Sequence, residues 1–123
     1  MVRALSEAME RRDAKGMIVH MRSDVVFEPA STEVVTRRPY QGHDGIRAWL
    51  ADIARDWEEF EVTLTELRSN PPYHVTMCRV YARTGGYVTD SPIGVTWRVE
   101  DGLITWGKSF RDRAAALRAA GLD

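Results

Sequence analysis

Cysteine is nearly missing from this chain. Cys78 stands alone in 123 residues, so no intramolecular disulfide can form, and a disulfide-stapled secreted scaffold is excluded. A reducing cytoplasm is the expected compartment. Long apolar runs are missing as well: none approaches the ~20 residues of a membrane span. The stretch Met1 to Met17 is interrupted by Arg3, Glu7, Glu10, Arg11, Arg12 and Asp13, which removes the unbroken apolar segment of a signal peptide. An excess of charge of one sign is also lacking. The formal net charge is -1 and the basic residues are scattered, so there is no electrostatic footprint for nucleic acid. His20, His43 and His74 lack the close spacing of a metal pair, and there is no second cysteine to help. Gly85-Gly86 and the Gly42 to Gly45 stretch lack the spacing of a phosphate loop. Neither a metal nor an organic cofactor is implied.

What is present fits one folded domain spanning residues 1–123. Hydrophobic residues make up 44% and charged residues 28%, the balance of a globular protein that buries a continuous core. Val2, Leu5, Ala8 and Met9 recur at helical spacing, predicting an amphipathic helix that ends near Arg12. Asp13 then caps a short second helix that turns Met17, Ile18 and Met21 toward the core. Asp24 to Pro29 is β-branched and aromatic and closes on proline, the pattern of a strand, with Glu33 to Thr36 as a returning partner. Past Gly42-His43-Asp44-Gly45, the stripe Ile46, Trp49, Leu50, Ile53 and Trp57 predicts the clearest helix. Asp44 suits its positive end.

Beyond Trp57 the periodicity changes from helical to alternating. Phe60, Val62 and Leu64 open a strand that Asn70-Pro71-Pro72 ends, Tyr73 to Arg83 forms the next, and Thr84-Gly85-Gly86 is its turn. Ile93, Val95, Trp97 and Val99 alternate up to Asp101-Gly102, a two-residue hairpin signal, so Leu103 to Phe110 returns. Asp112 caps a last helix, Arg113 to Ala120, stopped by Gly121 with Leu122 placed for a Schellman contact. The class is α+β, with helices on one face of a curved, mainly antiparallel sheet. Both sides of the Tyr73 to Arg83 strand are largely apolar: Val75, Met77 and Tyr81 on one, Cys78, Val80 and Ala82 on the other. With helices expected over one face only, a second copy of the chain covering the other is the expected partner.

Three blocks carry a resemblance. They are Asp24-Val25-Val26-Phe27-Glu28-Pro29, Tyr40-Gln41-Gly42-His43-Asp44-Gly45-Ile46-Arg47, and Trp97-Arg98-Val99-Glu100-Asp101-Gly102-Leu103-Ile104. Together with Phe110-Arg111-Asp112-Arg113 and Ala116-Leu117 running into Gly121-Leu122, their order and spacing resemble the SnoaL-like branch of the nuclear transport factor 2-like superfamily. The resemblance implies a cone of helices against a bent sheet, usually dimeric, with a small-molecule pocket on the concave side. That superfamily holds polyketide cyclases, ketosteroid isomerases, epoxide hydrolases and members with no assigned activity, so the fold does not supply the function.

Carried over residue by residue, the isomerase carboxylate before a proline matches Glu28-Pro29, whereas the oxyanion tyrosine has no match near Ala4 and the second donor position falls at about Val95. The acid of the aldol-type cyclases falls at Ser109, and the epoxide-hydrolase group of two aspartates and an arginine cannot be assembled. Loss of an oxyanion donor typically costs about 100-fold or more, which counts against an isomerase.

Glu28 is the leading catalytic candidate: at the mouth of an apolar cone its carboxyl pKa would rise and let it exchange protons near neutrality. The alternative is a strand-end glutamate paired with Arg37 or Arg38. His20 and Tyr40 are helpers in the first reading, and His20 is a structural histidine in the second. His43 suits a capping or surface role, and Cys78, with no histidine or cationic run nearby, suits a buried apolar one. Strand parity and the family comparison turn Cys78, Val80, Val95 and Trp97 toward the cavity, with Leu50 and Ile53 opposite and Ser109 on the last strand. Such a lining suits a hydrophobic or aromatic molecule. The expected function is a small-molecule pocket protein, either a cofactor-independent isomerase or cyclase-type enzyme, or a noncatalytic binder or dimeric interaction module.

Overall fold

The computed structural model describes residues 1–29 and 39–122. The partner strand expected at Glu33 to Thr36, and Arg37 and Arg38 as alternative partners of Glu28, lie outside the described residues. Among the described residues the elements follow in the order α1 (Val2–Glu10), α2 (Ala14–Ile18), β1 (Met21–Glu28), β2 (Tyr40–Gln41), α3 (Gly42–Asp56), β3 (Glu59–Asn70), β4 (Tyr73–Thr84), β5 (Tyr87–Glu100), β6 (Leu103–Phe110) and α4 (Arg113–Ala119). The fold is α+β. Its sheet runs β2-β1-β6-β5-β4-β3, antiparallel at every junction except the parallel pair β1 and β6. The register shifts within the β1–β6, β3–β4 and β5–β6 pairs, and irregularities of this kind bend the strands that carry them.

Two elements start earlier than their sequence pattern indicates. β1 begins at Met21 instead of Asp24, because Met21 pairs with Ile104 across the parallel junction. β5 reaches back to Tyr87, through Pro92. A proline cannot donate to a ladder, but the pairing of β5 with β6 ends at Gly94 and Phe110. Pro92 is therefore bonded only toward β4, opposite Arg79, and its missing N–H costs nothing on the open side.

One face of the sheet receives the N-terminal helices. Leu5, Ala8 and Met9 of α1, Met17 of α2, and Ile46, Trp49 and Ile53 of α3 pack with Phe27, Cys78, Val95 and Trp97 in one buried cluster. The opposite face corrects the expectation that helices cover one side only. There α4 lies on β5, and Ala116 and Ala120 join Val75 and Met77 in a second cluster. Gly94 permits this approach, since a Cβ on it would stand 2.6 Å from that of Ala116. Thr96 Oγ1 donates to the Ala116 carbonyl at 2.7 Å, tying the middle of the helix to the sheet.

The caps of α4 are those its residues dictate. Asp112 accepts from the Ala114 N–H at 2.9 Å. At the other end Gly121 takes φ +73°, and the N–H groups of Leu122 and Gly121 reach back to the carbonyls of Leu117 and Arg118 at 2.8 and 3.0 Å. This is the Schellman pattern, with Leu117 and Leu122 both against the second cluster. Asp13, by contrast, holds the N-cap position of α2 without a side-chain cap bond. No helix among the described residues is long and apolar enough to cross a membrane.

Candidate functional site: an aromatic-walled cavity

Strand alternation decides which side chains reach the hollow between the helices and the sheet. In β1 the consecutive apolar residues Val25, Val26 and Phe27 hide the phase in the sequence, and burial reveals it: Val25 and Phe27 are buried while Val26 and Glu28 are half-buried on the other face. Phe27 stands opposite Gly107 on β6, and Gly107 opposite Trp97 on β5. With no side chain at Gly107, the Trp97 indole lies over its backbone; a Cβ there would be 2.4 Å from the ring. Phe27 then stacks on Trp97 at 5.5 Å and 5°, and Trp49 of α3 meets Phe27 edge-on at 4.8 Å and 75°. Such offset and T-shaped pairs add to simple burial. The Trp97 Nε1 donates to Thr76 Oγ1 at 3.1 Å, so this fully buried indole is satisfied and fixed.

Against this pillar opens a cavity of about 520 Å³, a size that suits a small organic molecule. Met9, Trp49 and Ile53 supply its helical side, and Val62, Val80, Ala82 and Val95 its sheet side. Trp57, Phe60 and Tyr87 form a second aromatic wall, with Trp57 6.4 Å from Phe60 and 6.0 Å from Tyr87. Tyr87 is 60% exposed, which marks that end as the opening. The polar residues of the lining come from neighbouring strands: Thr89 and Ser91 from β5, with their hydroxyls 3.4 Å apart, and Ser109 and Arg111 from β6 and the residues after it. Among the described lining residues there is neither a carboxylate nor an imidazole.

The residues singled out in the sequence separate by depth and by face. Ile53, Val80, Val95 and Ser109 line the cavity. Leu50, Cys78 and Trp97 belong to the same buried cluster but lie outside the lining; Trp97 is screened by Phe27, and Cys78 sits two residues along β4 from Val80. Burial pushes the Cys78 thiol up from its ordinary range, away from nucleophilic chemistry.

The three acid–base candidates are placed differently from expectation. Glu28 projects from the opposite face of β1 to Phe27, where its carboxylate accepts from Trp106 Nε1 at 2.8 Å. It is not part of the cavity wall. Tyr40 pairs with Phe27 from the edge strand β2, and its hydroxyl donates to Asp52 Oδ2 at 2.6 Å. Burial, reinforced by Asp52, pushes this phenol up to about 12. His20 connects α2 to β1, with its carbonyl accepting from the Ile104 N–H at 2.8 Å. Neither Tyr40 nor His20 lines the cavity. The remaining histidines have structural partners, His43 Nε2 with the Met21 carbonyl at 3.0 Å and His74 Nδ1 with Ser69 Oγ at 2.8 Å. No group of His, Cys, Asp or Glu among the described residues is arranged to hold a metal ion.

Sequence reasoning passed over Phe27, Phe60, Tyr87 and Arg111 as lining residues. Arg111 had a usable signal, because it follows Ser109 by two positions and strand parity keeps both on one side. Tyr87 had none, since the strand pattern became recognisable only from Ile93.

Residues 2–106 of this chain match the SnoaL-like domain family. No curated protein matches it. Among solved structures, an NTF2-like protein of unknown function from Burkholderia pseudomallei is similar with a TM-score of 0.79 at 20% identity, over 97% of this chain and 93% of that one. TerC, co-crystallised with polyporic acid, gives a TM-score of 0.79 at 18% identity, over 97% and 93% of the two chains. A hypothetical protein of ketosteroid isomerase-like fold from Catenulispora acidiphila, in complex with trimethylamine, gives 0.75 at 16% identity, over 99% and 92%. At such identities the structural likeness is one of fold. The family match, extending from α1 into β6, goes further: this chain belongs to the SnoaL-like domain family.

Proposed function

We propose that the protein binds a small, flat, mainly apolar molecule between the Phe27–Trp49 corner and the Trp57–Phe60–Tyr87 wall, without acting as a Glu28-dependent enzyme. One observation carries the reading: a 520 Å³ cavity walled by five aromatic rings whose described lining lacks a carboxylate or imidazole. Removal of a proton beside a carbonyl needs a base within hydrogen-bond reach of the substrate, and Glu28 is engaged with Trp106 on the far face of β1. Aromatic faces and aliphatic side chains instead favour burial of a planar apolar body. Relatives of this fold solved with polyporic acid or trimethylamine are compatible with a pocket used for small molecules.

The test is a thermal-shift and tryptophan-fluorescence titration with planar two- and three-ring compounds. Trp49 and Trp57 lie in the wall, so occupancy should quench their emission and raise the melting temperature. Val80→Trp, which fills the cavity from the sheet side, should abolish both effects while the variant remains folded. Quenching that persists unchanged in this variant would place the ligand elsewhere and refute the proposal.

A further inference from the structure

Apolar and polar residues share the cavity lining, Phe27, Trp49 and Val95 among the first and Thr89, Ser91, Ser109 and Arg111 the second. Val95 pairs with Ser109, and the register carries Arg111 beyond that pair, toward the β5 segment that holds Ser91 and Thr89. Arg111 is the only residue among the described lining that carries a formal charge. It follows the last pair of the sheet, Gly94 with Phe110. The alternation that turns Phe110 toward Lys108 and the outer face returns Arg111 to the side of Ser109. The residue is exposed and lines the cavity, which places it at the opening.

The nearest acid in sequence does not neutralise it. Asp112 is committed to α4, with Oδ1 accepting from the Ala114 N–H at 2.9 Å and Oδ2 facing Arg118 at 3.7 Å. Asp90 projects outward to Arg79 at 2.7 Å. Eight arginines among the described residues have ion-pair partners; Arg111, like Arg3, Arg12, Arg68 and Arg113, has none there, and of these five it is the one that lines the cavity. A guanidinium presents a planar fork of donors matched to a carboxylate, here in a cavity whose lining also holds the hydroxyls of Thr89, Ser91 and Ser109.

Resting on the pocket reading above, we infer that the ligand is a planar acid: its apolar rings enter toward Phe27 and Trp49, and its carboxylate remains at the opening against Arg111. Arg111 then selects the ligand class and its orientation. The aromatic walls provide affinity that does not discriminate between the acid and a neutral analogue of the same shape. Discrimination comes from one charge-assisted contact at a partly exposed position, which sets an expected preference of about tenfold.

The experiment uses anthracene-2-carboxylate and anthracene-2-carboxamide, which share a ring system and differ in charge. Dissociation constants are measured by fluorescence for the natural chain, Arg111→Gln and Arg111→Lys. The carboxylate should bind the natural chain about tenfold more tightly than the carboxamide, the preference should disappear in Arg111→Gln and partly return in Arg111→Lys, and carboxamide affinity should be the same in all three. Added salt should weaken the carboxylate alone. Equal affinity for both probes, or a preference that survives in Arg111→Gln, overturns the role of Arg111 and leaves the pocket reading intact. Failure of both probes to bind any of the three proteins overturns the pocket reading, and this inference with it. Arg111 is exposed and has no ion-pair partner among the described residues, so a changed melting temperature of the unliganded Arg111→Gln variant would count against its assignment to the ligand.

Discussion

Replacing Gly107 with alanine adds a single methyl group at the most crowded point of the concave face. Its carbon would lie 2.4 Å from both Cε3 and Cζ3 of Trp97 and 3.2 Å from Cδ1 of Phe27. Carbon atoms pack favourably at roughly 3.5–4.0 Å, so the indole must retreat by about 1 Å or the two strands must separate. Neither movement is free. The methyl would press on Phe27 as well as on the indole stacked with it, while Trp49 is braced against Phe27 in turn, and retreat of the indole would stretch the 3.1 Å bond from Trp97 Nε1 to Thr76.

Overpacking of a close-fitted core costs about 1–3 kcal/mol. The rigidity of this pillar places Gly107→Ala near the upper end, a melting-temperature loss of roughly 6–12 °C for a domain of this size. Urea unfolding followed by tryptophan emission measures it directly. The strain should be relieved by a smaller partner, so Trp97→Leu in the Gly107→Ala background should be less destabilising than the sum of the two single changes. If Gly107→Ala lowers stability by less than about 0.5 kcal/mol, or the two changes are additive, the indole does not depend on this glycine and the proposed rigid wall is wrong.

Other perturbations probe the same framework. Thr76→Val leaves the buried Trp97 N–H without its acceptor and should cost about 1–3 kcal/mol in urea unfolding; Thr76→Ser should recover most of that, and equal losses in the two variants would argue against the hydrogen bond. Tyr40 is held protonated by burial and by Asp52, with its pKa raised from 10.0 to about 12. Its folded form therefore retains the proton longer than its unfolded form, so the associated stability is complete below about 10 and is lost as pH rises through about 12. Ultraviolet titration of Tyr40→Phe should lack this late tyrosinate phase, and an unchanged curve would contradict the assignment. Glu28→Gln keeps an acceptor for Trp106 and should lower stability by no more than about 1 kcal/mol with ligand affinity unchanged. A large change in affinity would return Glu28 to the site.

How far the sequence could be read follows from the period of each signal. Local signals with a single backbone solution were legible: Asp101-Gly102 gives the turn between β5 and β6, with both residues at positive φ, and Gly121-Leu122 closes α4 with the two expected bonds. Parity was legible where polar residues break the alternation, as in β5. It was lost in β1, where Val25-Val26-Phe27 is apolar throughout and the side occupied by Glu28 depends on a phase the residues do not display. A one-position uncertainty in a strand exchanges its faces, and here it moves a carboxylate from the cavity to Trp106. The covering of the second face by α4 was hidden for another reason. The helix was visible, but the contact that seats it, Gly94 against Ala116, joins segments that only the tertiary fold brings together.

Depth is the quantity that alternation cannot encode. Cys78, Val80 and Ala82 share one face of β4, yet only Val80 and Ala82 reach the cavity, because the helices close over the sheet before Cys78. On β5 the same limit falls between Val95 and Trp97, where Phe27 screens the indole. A face assignment therefore names more pocket residues than a ligand can touch, and the excess residues become its support. This division has a functional consequence. Truncating Val80 or Val95 changes the shape offered to the ligand, whereas truncating Trp97 removes the surface on which Phe27 rests and alters binding through the wall. Double-mutant cycles between ligand substituents and these positions separate the two cases: direct coupling is expected at Val80 and Val95, and coupling at Trp97 should vanish once Phe27 is also replaced.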